Sequence, residues 1–256
     1  MVSQSALVGA RQAEPRVQAK SGEVRILMIV PAFNEGATVA RVVEDLYRSM
    51  PSCEVLVVDD GSTDDTACAA GKCGAYVVSL PYNCGIGVAM QTGYLFAADH
   101  GYDIAVQVDG DGQHDPEEVT SLIQPILDQT SDMVVGSRFL GTNGYKSSAA
   151  RRLGIVWLAG FLSAVTRSRV TDPTSGFRAA SREVVRVFAT DYPTDYPEPE
   201  VIPLLHRMGF RIVEVPVTMH HRQAGRSSIT VLRSVYYMVK VTLAIMVGLF
   251  RAVDRK

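Results

Sequence analysis

The segment DGDGQ, Asp109 to Gln113, follows the apolar run IAVQV. Two carboxylates one residue apart, on the turn that ends a buried strand, can hold a hard divalent cation that keeps open positions for diphosphate oxygens. An Asp/Gly turn that merely ends a strand reads the same way from spacing alone. A second acidic strand end occurs in EVLVVDDGSTDDT, where Asp59 and Asp60 precede Gly61 and Ser62. A carboxylate there can accept from a base N–H or a ribose hydroxyl, while Ser62 or Asp64 would serve equally well as a helix N-cap. Adjacent carboxylates repel, and two acidic strand ends in one sheet need a cation or a donor-rich ligand to justify them. The pair together points to a nucleotide–metal site.

The elements that must position these groups alternate. RILMIVP, EVLVVDD, AYVVSL, IAVQVDGD and DMVVGSR have strand length, and helical periods fall at 37–49, 64–73 and 87–99. Apolar strands alternating with helices predict βαβ units around a buried, largely parallel sheet, with ligands beyond the carboxyl ends of the strands. After Arg138 the pattern changes to a Gly/Asn loop, an apolar helix over 149–165, the turn-rich TDPTSGF and the proline-dense YPTDYPEPE. A last strand, RIVEVPV, leads to HHRQAGRSSI and a C-terminal helix.

The chain has 256 residues, enough for one large α/β domain with appendages, and a formal net charge of −2, which gives no overall bias toward nucleic acid. Cys53, Cys68, Cys73 and Cys84 form no CxxC pair, so neither a zinc site nor a redox motif is expected, and a reduced cytosolic chain is the simplest reading. Residues 1–23 read as a polar, flexible tail without the apolar core of a secretory signal.

In chain order, VPAFNE, VVDDGSTDDT, NCGIGVAMQTG, DGDGQHDP, VVGSRF, TDPTSGFR, VEVPV and RQAGRSSI resemble the family 2 glycosyltransferases of GT-A fold, and within them the polyprenyl-phosphate glycosyltransferases. The resemblance implies an inverting transfer from a nucleotide-diphosphate sugar with Mn2+ or Mg2+. It places Pro31, Phe33 and Glu35 at a nucleotide-contacting strand end, Asp60 at the base, and Asp109, Asp111 and Gln113 at the metal and diphosphate. Asp111 and Arg138 would act in catalysis. Arg138, one of Arg151 and Arg152, Arg222 and the following Ser227 would surround donor and acceptor phosphates, for which guanidinium forks are suited.

Three departures bear on this. Ile86 stands where many members carry lysine, Ser228 replaces a second lysine beside Arg226, and YPEPE occupies the region that often supplies an acidic base. Glu198 and Glu200 both qualify there, with Glu200 favoured as the start of the helix EVIPLLHRMG. His220 and His221 have no spacing partner and read as structural.

The implied acceptor is a polyprenyl phosphate, or a lipid-linked glycan if a sugar hydroxyl attacks. A nucleotidyltransferase and a non-catalytic nucleotide-sugar sensor are the more distant alternatives. On a helical wheel Arg233, Lys240 and Arg251 fall within about 20 degrees of one another, leaving a wide apolar face. The expected organisation is therefore a catalytic domain over 24–228 and an interfacial helix over 229–256 at the inner face of the cell membrane, with packing on the domain or against another subunit of a homo-oligomer as the other uses of that helix. The uncharged stretch is too short to span a bilayer.

Overall fold

A computed structural model describes residues 23–141, 149–220 and 231–250. The elements run β1 Ile26–Ala32, α1 Val39–Ser49, β2 Glu54–Asp59, α2 Thr66–Lys72, β3 Tyr76–Ser79, α3 Ile86–Asp99, β4 Ile104–Gln107, α4 Val119–Leu127, β5 Met133–Ser137, α5 Ala149–Thr166, β6 Arg178–Ser181, α6 Arg182–Thr190, α7 Pro197–Met208, β7 Ile212–Pro216 and α8 Val231–Phe250. They form a seven-stranded sheet in the order β3-β2-β1-β4-β6-β5-β7. The sheet is parallel except for β6, which runs antiparallel between β4 and β5.

Every residue of β1 and β2 is buried, as expected of central strands covered on both faces. Alternate residues feed opposite layers. Leu27, Ile29, Leu56 and Val58 join α3 and α5–α8, while Met28, Val30, Val55 and Val57 join α1 and α4. In α1 the buried set Val39, Val42, Val43 and Leu46 follows the i, i+3, i+4, i+7 stripe that fixes a helix on a sheet.

The strand order reverses at β1, which pairs with β2 on one side and β4 on the other. Such a switch point leaves a crevice beyond the strand ends. The ends of β1 and β4 therefore set Pro31 and Asp109 on adjacent rims of one opening.

At the other end of the chain, α8 contributes Val241 and Ile245 to the same core as α5 and α7. Its outer residues Val239, Leu243, Met246 and Val247 are exposed. Among the described residues no helix is long and apolar enough to cross a membrane.

Candidate active site

The loops after β1 and β2 are laced to each other. Asn34 N–H donates to Ser62 Oγ at 2.9 Å, Glu35 N–H to Thr66 Oγ1 at 2.9 Å, and Gly36 N–H to Asp64 Oδ2 at 3.0 Å. Asn34 also accepts from Thr63 N–H and takes a left-handed φ of 54°, which its short polar side chain tolerates. Asp64 thus spends its carboxylate on Gly36 and Thr66, and the Thr66 hydroxyl holds its pKa below the usual range. Pro31 is buried in β1, Phe33 is exposed at the rim, and the Glu35 carboxylate accepts from Thr38 Oγ1 at 2.9 Å.

Asp60 is buried, with its two oxygens accepting from Cys84 N–H at 2.7 Å and Gly85 N–H at 2.9 Å. Its placement ties the strand end to the start of α3, and a carboxylate offers about four acceptor positions, so capacity for a further donor remains. Ile86 opens α3 and is partly exposed.

The DGDGQH loop closes on itself. Asp109 N–H donates to His114 Nδ1 at 3.1 Å, and Gln113 N–H to Asp111 Oδ1 at 3.1 Å. His114 is buried, stacks on Phe177 with centroids 4.6 Å apart, and is held down to about 4 by burial. Gln113 sends its side-chain amide to His220 O at 3.1 Å and accepts His220 N–H on its own carbonyl. The Gln113 side chain therefore braces the segment after β7 through its NH2, whereas the metal role expected of it would use the Oε1. His220 itself faces Asp115 at 3.3 Å.

A cleft of about 650 Å³ opens beside this loop, with Asp109, Asp111, His114 and His220 on one wall and Thr38, Arg41 and Arg48 of the α1 region on the other. Its size suits a small-molecule ligand. Asp60 lies outside its lining.

The donor set fits a hard cation. Asp109 and Asp111 are both partly exposed, and a side chain at Gly176 would bring a Cβ 3.1 Å from both carboxylate oxygens of Asp109. The bare glycine keeps that space open. Among the described residues no three His, Cys, Asp or Glu side chains converge as a closed set. A cation bound here would meet two carboxylates, with other positions left to phosphate oxygens and water, the usual arrangement for Mg2+.

Two expectations from the sequence change. Arg138 is buried, and its Nε and Nη2 reach Asp172 at 2.6 and 2.7 Å in a bidentate pair, with Nη2 also 2.8 Å from Thr174 Oγ1. The guanidinium expected to meet phosphate instead ties the end of β5 to the TDPTSGF loop. Glu214 of β7 completes the brace by accepting from Thr171 N–H at 2.9 Å and Asp172 N–H at 3.0 Å.

The second change concerns the acidic helix start. Helix α7 begins at Pro197, three residues before Glu200, because proline at the first helical position sacrifices no hydrogen bond. Two residues apart on a helix point about 200 degrees apart, so Glu198 and Glu200 face different surroundings. Glu200 lines a separate cavity of about 260 Å³ with Asp195, Arg207 and Ile245, away from the carboxylate pair. Glu198 instead lies among Arg178, Gln107 and Asp109, and burial raises its pKa above the usual carboxylate range, with Arg178 opposing and Asp109 adding. Arg178 is itself buried, donating to Ser175 O at 2.7 Å and Pro173 O at 3.0 Å.

Arg152 is exposed on α5. Arg222 and Ser227, with Arg226, His221 and Ser228, lie outside the described residues, as does the side chain of Arg151. Sequence reasoning did not single out His114, Asp172, Gly176, Arg178 or Glu214. TDPTSGFR and VEVPV were visible as motifs, but the contacts that join them span 43 positions along the chain.

A parallel-sheet switch point with carboxylates on its strand ends, closed by an antiparallel strand and the 171–176 loop, defines a transferase of GT-A architecture. The model of the family described as "Glycosyl transferase family 2" matches residues 28–188. An undecaprenyl-phosphate mannosyltransferase of Micrococcus luteus is 30% identical over 216 residues, covering 81% of this chain and 88% of the relative. A polyprenol monophosphomannose synthase of Mycolicibacterium smegmatis is also 30% identical over 216 residues, covering 80% and 81%. Among solved structures, glucosyl-3-phosphoglycerate synthase from Mycobacterium tuberculosis in complex with Mn2+, UDP and phosphoglyceric acid superposes with a TM-score of 0.67 at 25% identity, covering 98% of this chain and 82% of that one. The same enzyme has also been crystallised with Mg2+ and UDP. The chain belongs to glycosyltransferase family 2.

Proposed function

We propose that this glycosyltransferase moves a sugar, with inversion, from a nucleotide-diphosphate sugar to a polyprenyl phosphate at the cytoplasmic face of the membrane. The observation that carries the reading is the Asp109–Asp111 pair at the sheet's switch point, in a chain aligned over four-fifths of its length with an undecaprenyl-phosphate mannosyltransferase and a polyprenol monophosphomannose synthase. Asp109 and Asp111 would hold Mn2+ or Mg2+, which when bound offsets charge on the departing nucleoside diphosphate. The laced loops after β1 and β2, with Pro31, Phe33, Glu35 and Asp60, frame the nucleoside. Glu198, near Asp109, accepts from a hydroxyl of the transferred sugar. Arg152, Arg151 and Arg222, together with Ser227, are the groups assigned to the acceptor phosphate. A phosphate acceptor is anionic before it attacks the anomeric carbon, so no strong base is required.

A second reading, transfer to a sugar hydroxyl of a lipid-linked glycan, is favoured by the setting of Glu198 beside Asp109, where a carboxylate could take a proton from an attacking hydroxyl. The two acceptors predict opposite profiles. With polyprenyl phosphate, Arg222→Ala is expected to cost at least about 100-fold in turnover and Glu198→Gln less than about tenfold. With a glycan hydroxyl, Glu198→Gln becomes the severe change. Glu200→Gln is expected to leave turnover unchanged with either acceptor. Steady-state rates with a short polyprenyl phosphate and with a lipid-linked sugar distinguish the cases.

Attachment to a membrane surface is supported by the helix pair α5 and α8. They meet where Gly154 approaches Met238, and a Cβ on Gly154 would lie 3.3 Å from the Met238 sulfur. Leu153, Val156 and Trp157 on α5 and Leu243 and Val247 on α8 are half or more exposed. Neither helix contains an acidic residue, while Arg151, Arg152, Arg233 and Lys240 are basic. Apolar faces of this kind insert at the headgroup level, with each basic residue adding about 1 kcal/mol on anionic lipid. Deleting α8 would open the core, so the informative variant is Leu243→Glu with Val247→Glu. It is expected to leave melting unchanged and to abolish flotation with anionic vesicles. Wild-type protein that fails to float would contradict the surface assignment.

A further inference from the structure

His114 closes the loop that carries both candidate cation ligands, and nothing in the proposed reaction yet uses it. Its Nδ1 accepts the Asp109 backbone N–H at 3.1 Å. A ring nitrogen that accepts carries no proton, so the single ring proton is on Nε2. That Nε2 is buried without a hydrogen-bond partner and lies 3.6 Å from Asp109 Oδ2. Its plane is fixed by stacking on Phe177 at 13°, and Phe177 is fully buried between the 171–176 loop and β6. The backbone of His114 is paired with Met219, which anchors the loop to the segment after β7. The imidazole therefore holds the Asp109 backbone and faces its carboxylate at 3.6 Å, while the opposite wall is the bare Gly176.

We infer that His114 is a positioning residue for the cation site: its Nε2–H sets the orientation of the Asp109 carboxylate, directing the oxygen it does not face toward the metal. The inference rests on the assignment of the cation to Asp109 and Asp111. Residues that orient metal-binding side chains in this way typically change metal affinity about 10–100-fold when replaced. A purely structural histidine would alter melting and leave metal affinity unchanged.

Two substitutions separate its functions. In His114→Asn the amide oxygen stands close to the place of Nδ1, which keeps the backbone acceptor and removes the Nε2 donor. In His114→Gln the longer amide nitrogen reaches toward the place of Nε2 and restores a donor. Free Mn2+ is measured by electron paramagnetic resonance with the full chain and UDP, alongside melting temperature and the Mn2+ dependence of turnover. The Asn variant is expected to bind Mn2+ about 10–100-fold more weakly, and the Gln variant to recover most of that loss.

Asp109→Asn and wild type fix the reference. If both bind Mn2+ equally, the cation assignment itself falls. If wild type binds more tightly than Asp109→Asn, and His114→Asn matches wild type, the positioning role alone is overturned. Wild-type protein labelled with 15N-histidine gives a test that needs no variant. The expected signature is an Nε2–H tautomer whose resonances shift when Mg2+ and UDP are added, and an Nδ1–H tautomer, or resonances unmoved by the metal, would overturn the proposal.

Discussion

Asp111→Asn is expected to remove about 100- to 1000-fold of turnover while leaving the melting curve unchanged. The asparagine keeps an oxygen for the Gln113 N–H, so the turn retains its hydrogen bond. Asp111 is only partly buried, so no cavity is created. What is lost is one unit of negative charge beside a dication and a diphosphate, where the local charge balance sets both affinity and transition-state energy. Turnover measured across Mn2+ concentration checks this, because weakened metal binding shifts the half-saturating concentration upward before the maximal rate is compared. Activity near wild type at limiting Mn2+ would remove Asp111 from the metal site.

Arg138→Ala is expected to act mainly on stability. Asp172 is fully buried and its carboxylate is met by Nε and Nη2 of Arg138 in a two-pronged contact. Removing one partner of such a pair leaves the other charge uncompensated in the interior, at a cost of about 3–5 kcal/mol. For a domain of this size that is roughly 6–20 °C in melting temperature. Arg138→Lys keeps the charge and loses the fork, so an intermediate loss is expected. Thermal melts of the three proteins provide the check. An unchanged melting temperature with a collapsed rate would return Arg138 to the phosphate-binding role that its sequence context resembles.

The contrast between these residues shows what the sequence can disclose. Strands β1 to β5 and β7 and helices α1 to α3 are legible because buried parallel strands are near-continuous apolar runs between helical periods. β6 was not. RAAS is four residues long, lacks alternation and runs against its neighbours, so no periodic signal marks it. The strand-end carboxylates were legible because their neighbours in sequence define their setting. The partner of Arg138 lies 34 positions away, and no local pattern distinguishes a guanidinium waiting for phosphate from one already engaged.

The acidic helix start failed for a different reason. The proline spacing of YPEPE left Glu198 and Glu200 both open, with Glu200 favoured as the apparent start of the helix. In the fold Pro197 occupies the first turn, where its missing N–H is harmless, and the helix phase set there turns Glu198 toward Asp109 and Glu200 toward α8. Burial also reveals what composition hides in α8. Its apolar circumference serves two purposes, with Val241 and Ile245 in the core and Leu243 and Val247 outside it.

In the proposed reaction a nucleotide-diphosphate sugar is consumed and a polyprenyl phosphate glycosylated in the same turnover. Purified full-length protein with Mn2+, a panel of nucleotide-diphosphate sugars and a short polyprenyl phosphate tests it directly, with nucleoside diphosphate and glycosylated lipid quantified together. One donor is expected whose nucleoside diphosphate and glycosyl lipid appear in equal amounts, both abolished by Asp111→Asn. Release of pyrophosphate, or transfer only to a sugar hydroxyl with the polyprenyl phosphate left unmodified, would contradict it.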